Sequence, residues 1–434
     1  MGMRGMVAAL TLGFCAATLC AGEPAYSLTA KADKAEAVYG VGEEAVFTVN
    51  LLLDKEPAEK GKIVCRIDGT TAAAETSNLE WAGQPLEVRV KRDAPGWIRL
   101  TLTAIDADGK PLANTKDGKS VPLRPFIVGA VVDPSAVKPA VPAPDDFDDF
   151  WKKQRAALDA VPVKAVETEV ETTERDKQKA FQCFDVTVEC AGPKPVSGYL
   201  SFPKNAQPQS LPAVVIFSDN IVRSANKTLR NGAISFDVNL HGLANGQTPE
   251  FYRNLTGGEL KNAHLRDAED PDRFYIKDVF VRALRALDYV KTRPEWDGKT
   301  LIVWGGGLGG AQATAVAALD KDVTLCVASN PTMGDHNARA AGRLPGWPAL
   351  LDQRWAGDKK AQVARTAGYY DTANFAARVR CETIMSVNLA ANPTAAYAVY
   401  NNLPDGIAKD IDVNLRNTKG VKRIDAVVVA AKRK

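Results

Sequence analysis

The residues best placed to do chemistry form a glycine-rich turn at 305–310, which reads Gly-Gly-Gly-Leu-Gly-Gly. This spacing satisfies the pattern G-x-G-x-x-G, whose glycines let a pyrophosphate approach backbone donors at the beginning of a helix. A dinucleotide site also needs an acidic residue about 20 positions later, where the next strand ends. The next predicted strand ends at Ala328-Ser329-Asn330, and the turn comes late in the sheet. Nucleotide binding is therefore the weaker of two functional interpretations.

The other interpretation is a nucleophile elbow, G-x-S-x-G, in which a strained turn between a strand and a helix projects a serine. Gly305 and Gly309 hold the outer glycine positions of this motif, and Gly307 holds the position of the serine. Glycine has no side chain, so it cannot attack a carbonyl carbon. The turn is either an elbow that lacks its serine or a set of glycines that only allows tight packing. Both interpretations predict that no nucleophilic chemistry occurs at this position.

Histidine is rare in this chain, which limits the candidates for a general base. The three histidines are His241, His264 and His336. His241 follows a predicted strand, at the edge of the sheet where ligands bind in α/β proteins. It could act as a general base for Ser218, Ser224 or Ser329, which follow other strands. A loop histidine that only makes hydrogen bonds is the simpler alternative. We expect a surface position for His264 and a structural role for His336.

Cysteine and histidine spacing predicts neither a metal centre nor a disulfide framework. No Cys/His cluster has the spacing of a zinc site, and no cofactor is expected. Five cysteines remain beyond the first 22 residues, an odd number that leaves at least one thiol unpaired. We therefore expect mostly buried free thiols.

The chain changes character after about residue 130, and this change divides it into two regions. In the first region, short alternating runs such as 45–49 and 98–104 are separated by Gly, Asp and Pro turns. About seven such strands in roughly 105 residues predict an immunoglobulin-like sandwich over 23–132. The role of this domain stays open between a spacer or cover and a carbohydrate-binding module. Prolines then stiffen a linker at 133–145.

Beyond the linker, strand and helix signals alternate, which is typical of a parallel sheet covered by helices on both faces. The predicted strands are 183–190, 196–202, 212–217, 234–240, 300–304, 323–328 and 383–388. Apolar residues from Ile276 to Val290 recur at helical spacing, and Pro294 stops that helix. The glycine turn follows the strand at 300–304 and precedes a small-residue helix at 311–319. These two elements must position it.

Composition and charge exclude several classes of protein. The 434 residues are 45% hydrophobic and 25% charged, with 55 basic and 52 acidic side chains. This mixture is ordinary for a globular protein and provides enough apolar material for a core. No concentrated basic excess points to nucleic acid. Beyond the first residues, no unbroken run of about 18 apolar residues predicts a transmembrane span.

Residues 1–22 are typical of a secretory signal. Arg4 supplies the positive start, a short apolar run covers 7–19, and small residues place cleavage near Ala21 or Gly22. We therefore predict a secreted or periplasmic protein. Lipid anchoring at Cys20 stays open, and the sequence does not indicate an oligomeric state.

Several segments, together with the glycine turn, carry a more specific resemblance than the turn alone. They lie at 145–151, 196–200, 274–310, 317–320, 330–331, 335–336 and 345–348. Over roughly 140–415, the sequence resembles the acetyl xylan esterase and cephalosporin-C deacetylase family of α/β-hydrolases. The resemblance implies a doubly wound, mostly parallel sheet in a domain over 146–434. It also implies a carbohydrate ligand and a Ser-Asp-His triad that removes acetyl groups from sugars.

Each catalytic position that the resemblance implies holds a residue of another kind. The nucleophile falls at Gly307, the acid loop carries Ala390, Ala391 and Asn392, and the base falls near Lys419. The segment of the oxyanion hole begins Ser218-Asp219, and a carboxylate there opposes a developing negative charge. Because triad residues act as a unit, the absence of all three predicts an inactive protein.

We therefore interpret the chain as a non-catalytic esterase-like protein that keeps the fold and a carbohydrate-binding cleft. The residues expected around this vestigial cleft are Ser218, Asp219, His241, Gly306, Gly307 and Leu308. An active carbohydrate esterase with an unconventional site is the alternative, and a nucleotide-binding protein is the third interpretation.

Overall fold

The computed structural model describes residues 25–71, 73–172, 179–413 and 418–431. The predicted signal peptide lies outside these residues, and so do its cleavage positions near Ala21 and Gly22 and the lipid position at Cys20. Among the helices of the described ranges, none is long and apolar enough to cross a membrane. The five cysteines in these ranges are unpaired, and four of them are buried.

An all-β region comes first and contains two sheets and a separate hairpin. Its strands are β1 (Tyr26–Ala32), β2 (Val38–Tyr39), β3 (Glu44–Leu53), β4 (Glu56–Pro57), β5 (Gly61–Gly69), β6 (Glu75–Trp81), β7 (Leu86–Lys91), β8 (Gly96–Ile105), β9 (Ala113–Lys116), β10 (Lys119–Pro122) and β11 (Phe126–Val132). One sheet joins β1, β3, β4 and β7, the other has the order β2-β11-β8-β5-β6, and β9 pairs with β10.

A single hydrophobic cluster holds the two sheets of this region together. Along β3, burial alternates, and Phe47, Val49 and Leu51 are fully buried. They join Ile63, from the other sheet, in that cluster. This alternation is the pattern of a strand with one face on the core and one toward solvent. The predicted all-β region is confirmed, and its immunoglobulin-like topology stays a prediction.

The second region contains a nine-stranded mixed sheet. Its strands are β12 (Ala165–Glu169), β13 (Phe181–Val188), β14 (Val196–Pro203), β15 (Leu211–Phe217), β16 (Ile234–Val238), β17 (Trp296–Gly306), β18 (Leu325–Ser329), β19 (Glu382–Ser386) and β20 (Lys409–Asp412). Their order is β12-β13-β14-β16-β15-β17-β18-β19-β20. The strands from β16 to β20 in this order run parallel, and β12, β13 and β14 form antiparallel pairs. This is the mostly parallel sheet that the sequence predicts.

Helices cover both faces of this sheet. They are α1 (Phe147–Asp159), α2 (Pro249–Gly257), α3 (Tyr275–Lys291), α4 (Leu308–Leu319), α5 (Gln353–Ala356), α6 (Lys360–Tyr370), α7 (Thr372–Ala376), α8 (Thr394–Asn401) and α9 (Thr418–Ala431). Val303 of β17 packs in a cluster with Leu284 of α3 and Val316 of α4. Its neighbour Ile302 packs with Ile424 of α9. Because successive strand residues point to opposite faces, burial of β17 requires both helical layers.

The segment between the two regions is fixed to the second one. Val137 is buried in a cluster with Tyr397 of α8. The side-chain amide of Asn401 donates to the carbonyl oxygens of Pro134 and Val137, at 2.6 and 2.8 Å. The predicted linker at 133–145 is therefore packed, at its first residues, against the α/β region.

Candidate functional site

One residue separates β17 from α4, and that residue is Gly307. Its backbone has a φ of 57° and a ψ of −121°, a combination that residues with a side chain rarely adopt. The turn is also tight, because a Cβ atom on Gly305 would overlap the backbone of Gly309. The strand passes directly into the helix, which is the backbone arrangement of a nucleophile elbow.

Asp219 fills the space that a nucleophilic side chain would use. A Cβ atom on Gly307 would overlap the carboxylate of Asp219. Oδ1 of this carboxylate accepts hydrogen bonds from the backbone N–H groups of Leu308, at 2.9 Å, and of Asn220, at 2.7 Å. The carboxylate is thus held at the beginning of α4, where the free N–H groups and the dipole of a helix favour negative charge.

The two N–H groups bound by Asp219 come from the places that supply an oxyanion hole. In α/β-hydrolases, one donor is the N–H of the residue after the nucleophile, and the other lies in a loop after a neighbouring strand. Leu308 follows the nucleophile position, and Asn220 lies in the loop after β15. An oxyanion that developed here would meet the charge of Asp219 and be repelled. A pyrophosphate at the glycine turn would meet the same charge.

The loop after β19, where the resemblance places the triad acid, contains no carboxylate. It runs from 387 to 393 and includes Ala390, Ala391 and Asn392. The side-chain amide of Asn392 donates to the carbonyl oxygens of Leu344 and Pro345, at 3.0 and 3.2 Å. Nothing in this loop provides the negative charge that stabilises and orients a protonated histidine in a triad.

The first region packs directly on this acid loop. Nε1 of Trp97, in β8, donates to the carbonyl oxygen of Leu389 at 2.9 Å. A Cβ atom on Gly129, in β11, would overlap that same carbonyl group. Val131 of β11 shares a hydrophobic cluster with Val387. The loop in the position of the triad acid is therefore part of the contact between the two regions.

The third catalytic position follows β20. Residues 414–417 lie outside the described residues, and α9 begins at Thr418. Nζ of Lys419 donates to a carboxylate oxygen of Asp410 and to the carbonyl oxygen of Ile411, both at 3.2 Å. No histidine follows β20 in the sequence, since the last one is His336. His336 is 1% exposed, and its backbone N–H donates to Asp371 at 2.9 Å.

His241 is buried in the loop after β16. It is 3% exposed, its Nδ1 lies 2.7 Å from the hydroxyl oxygen of Tyr275, and its Nε2 is buried without a hydrogen-bond partner in the described residues. Burial, together with the charges of Arg282 and His264, lowers the pKa of His241 to about 4. The imidazole is therefore neutral at physiological pH.

The structure brings together only part of the expected cleft. Asp219, Gly307 and Leu308 meet at the elbow, and Gly306 adjoins them in β17. The hydroxyl of Ser218 donates to the carbonyl oxygen of Val238 at 3.3 Å. The ring of His241 is in contact with Tyr275, and among the described residues the side chains of Ser218 and His241 make no hydrogen bond to the elbow.

Two features of this site were missed from the sequence. Tyr275, the first residue of α3, binds His241 across 34 positions, and Trp97 binds the acid loop across 292 positions. Neither contact has a local signal, because each joins residues that only the tertiary fold brings together. Within the part of the chain that the structure describes, no group of three or more His, Cys, Asp or Glu side chains could hold a metal ion.

Comparisons with known proteins agree with this architecture. A family model described as acetyl xylan esterase (AXE1) matches residues 135–423. The chain is 30% identical over 318 residues to acetyl esterase Axe7A of Xylanibacter ruminicola, a match that covers 71% of this chain and 67% of that protein.

Two solved structures share the fold. An acetyl xylan esterase from Paenibacillus sp. R4 aligns with a TM-score of 0.56 and 23% identity, over 68% of this chain and 98% of that one. Acetyl xylan esterase 1 from Thermoanaerobacterium sp. JW/SL YS485 aligns with a TM-score of 0.53 and 18% identity, over 69% of this chain and 97% of that one. Together with the family match and the relative in Xylanibacter ruminicola, they lead to one conclusion: the chain belongs to the acetyl xylan esterase family and has its α/β-hydrolase fold.

Proposed function

We propose that this protein is an exported, non-catalytic member of the acetyl xylan esterase family that binds carbohydrate without hydrolysing it. The carboxylate of Asp219 carries the proposal, because it lies where a side chain on residue 307 would lie. A glycine at the nucleophile position and a carboxylate on the Leu308 N–H remove two catalytic parts at once.

The nucleophile and the oxyanion hole provide most of the rate enhancement of a serine hydrolase. When a triad residue is removed from such an enzyme, the oxyanion hole and substrate binding still give residual catalysis. Here the donor N–H groups already bind an anion, so that residual contribution is also opposed. The alanines and asparagine of the acid loop and the absence of a histidine after β20 support the same conclusion.

The alternative is an active esterase that uses His241 as an unconventional base. A general base works best when its pKa lies near the operating pH, whereas burial lowers the pKa of His241 to about 4. Nδ1 of His241 is in contact with Tyr275, and the hydroxyl of Ser218 donates to a backbone carbonyl. These contacts favour a structural role for His241.

Export and carbohydrate binding rest on different observations. The charged start, apolar run and small residues of 1–22 support export. The names of the relatives, which describe an acetyl esterase and acetyl xylan esterases, support a sugar ligand. The family fold together with these names is what supports a carbohydrate ligand for this chain.

The test is hydrolysis by the purified mature protein. We expect no release of acetate from p-nitrophenyl acetate or from acetylated xylan above the buffer rate, while an active acetyl xylan esterase serves as the positive control. His241→Ala is assayed beside the native protein. A rate that saturates with substrate, survives repurification and disappears in His241→Ala would support the unconventional esterase and refute the proposal.

A further inference from the structure

An exposed tryptophan and a histidine form a small platform near the elbow. The rings of Trp347 and His264 lie 4.8 Å apart between centroids, at an angle of 39°. Trp347 is 38% exposed, although most large apolar side chains of this region are buried. In the described part of the chain, no hydrogen-bond partner reaches the ring nitrogens of His264, and burial alone lowers its pKa. The ring nitrogens of His264 therefore keep hydrogen-bonding capacity for a ligand.

The platform is held in place by the core beneath it. Leu265, next to His264, and Leu350, next to the Trp347 segment, pack in the same hydrophobic cluster. The carbonyl oxygen of Trp347 accepts a hydrogen bond from the backbone N–H of Met333 at 2.7 Å, and Met333 is fully buried. A site whose backbone is fixed before binding loses less entropy when a ligand arrives.

The platform is also connected to the elbow. The backbone N–H of Thr332 donates to the carbonyl oxygen of Gly307 at 3.1 Å, and the next residue, Met333, binds Trp347. The platform also lies near His241, because His264 contributes electrostatically to the low pKa of His241. Backbone hydrogen bonds of two consecutive residues, Thr332 and Met333, therefore link the elbow to the tryptophan of the platform.

We infer that Trp347 and His264 form a subsite for a neutral pyranose ring, with the sugar stacked on the indole and a hydroxyl or acetyl oxygen bonded to the imidazole. The C–H groups on the face of a pyranose match the negative face of an aromatic ring, and pockets of this kind combine an apolar surface with a few polar groups. The subsite deepens the proposed carbohydrate-binding function and rests on it.

A second exposed tryptophan provides a matched control. Trp355 is 51% exposed, but the guanidinium group of Arg354 lies over its ring at 5.6 Å from the centroid. The group over this indole is a cation, and within the described residues no imidazole is paired with it. Trp355→Ala therefore removes an exposed indole of the same type without touching the platform.

The experiment is calorimetric titration of the full mature protein with xylohexaose and with its O-acetylated form. We expect the native protein to bind. Trp347→Ala should weaken binding at least about tenfold, His264→Ala about threefold, and Trp355→Ala less than about twofold. Trp347→Phe keeps an aromatic face and should retain most of the affinity. Melting temperatures close to that of the native protein confirm that each variant is folded.

The outcomes separate the subsite from the proposed function. If the native protein binds and Trp347→Ala binds equally well, the subsite is wrong and carbohydrate binding stands. If Trp355→Ala weakens binding as much as Trp347→Ala, the subsite is also wrong. If the native protein binds neither sugar at millimolar concentration, carbohydrate binding fails and the subsite fails with it. Should Trp347→Ala lose stability, His264→Ala and Trp347→Phe test the same platform: binding that is about threefold weaker in His264→Ala and mostly retained in Trp347→Phe supports the subsite, and unchanged binding in His264→Ala contradicts it.

Discussion

The resemblance to the family places the nucleophile at the glycine turn and the acid in the loop after β19, and these two segments differ in what the structure puts there. At the turn, the backbone keeps the elbow, and a neighbouring carboxylate fills the empty space. At the loop, the acid is absent, and the chain there is in contact with the all-β region through Leu389.

The difference follows from what each segment must do for the fold. The turn must pass a strand into a helix at close range, since a Cβ atom on Gly305 would overlap Gly309. Its geometry is therefore required whether or not a serine is present. The acid loop lies at the end of a strand near the surface, where it can be recruited to hold another domain. The turn is thus fixed by the passage from β17 to α4, whereas the loop after β19 is in contact with the all-β region.

The largest expected effect comes from disturbing the loop contact. Gly129→Ala places a methyl group on the backbone of Leu389, which must push the two regions apart. Overpacking against backbone typically costs about 1–3 kcal/mol, and we expect the upper end of that range in urea denaturation. Gly406→Ala is the control, because a Cβ atom there meets nothing within 4 Å. Equal stability of the two variants would show that the loop is not held by the all-β region.

A smaller effect is expected at the elbow. Asp219→Ala removes the carboxylate that accepts the Leu308 N–H at the beginning of α4. Loss of a helix cap costs about 1 kcal/mol, so the free energy of unfolding should fall by about that amount. Asp219→Asn keeps an acceptor oxygen and should lose less. If Asp219→Ala were as stable as the native protein, the carboxylate would not act as a cap and would only occupy space.

The sequence predicts the central strands of the α/β region well and the two edge strands of its sheet poorly. All seven predicted strands of the α/β region are present, with ends shifted by a few residues. β12 and β20 were missed. Every residue of β12 is exposed, so this edge strand has no apolar alternation to reveal it. β20 is short and charged. Patterns of burial are visible in a sequence only where burial occurs.

The candidate site was predictable only in part. The order of the predicted elements places Gly307 at a turn after one strand and Asp219 after another. Parallel strands bring their carboxyl ends to the same edge of the sheet. The sequence does not indicate that the carboxylate points into the elbow, because that contact joins residues 89 positions apart. It also does not show that Ser218 binds a carbonyl oxygen while His241 binds Tyr275. Side-chain choices among several neighbours depend on packing that only the folded chain determines.

The most direct test of the non-catalytic account is the esterase rate of Gly307→Ser and of Gly307→Ser/Asp219→Ala. The first variant places a serine hydroxyl in the space of the Asp219 carboxylate. The second variant also removes this carboxylate from the N–H group of Leu308 that it accepts from. Without a histidine to remove its proton, serine remains a weak nucleophile. We predict that both variants hydrolyse p-nitrophenyl acetate no faster than buffer. Robust, saturable turnover by either variant would require a base within about 3 Å of the new hydroxyl and would contradict the account.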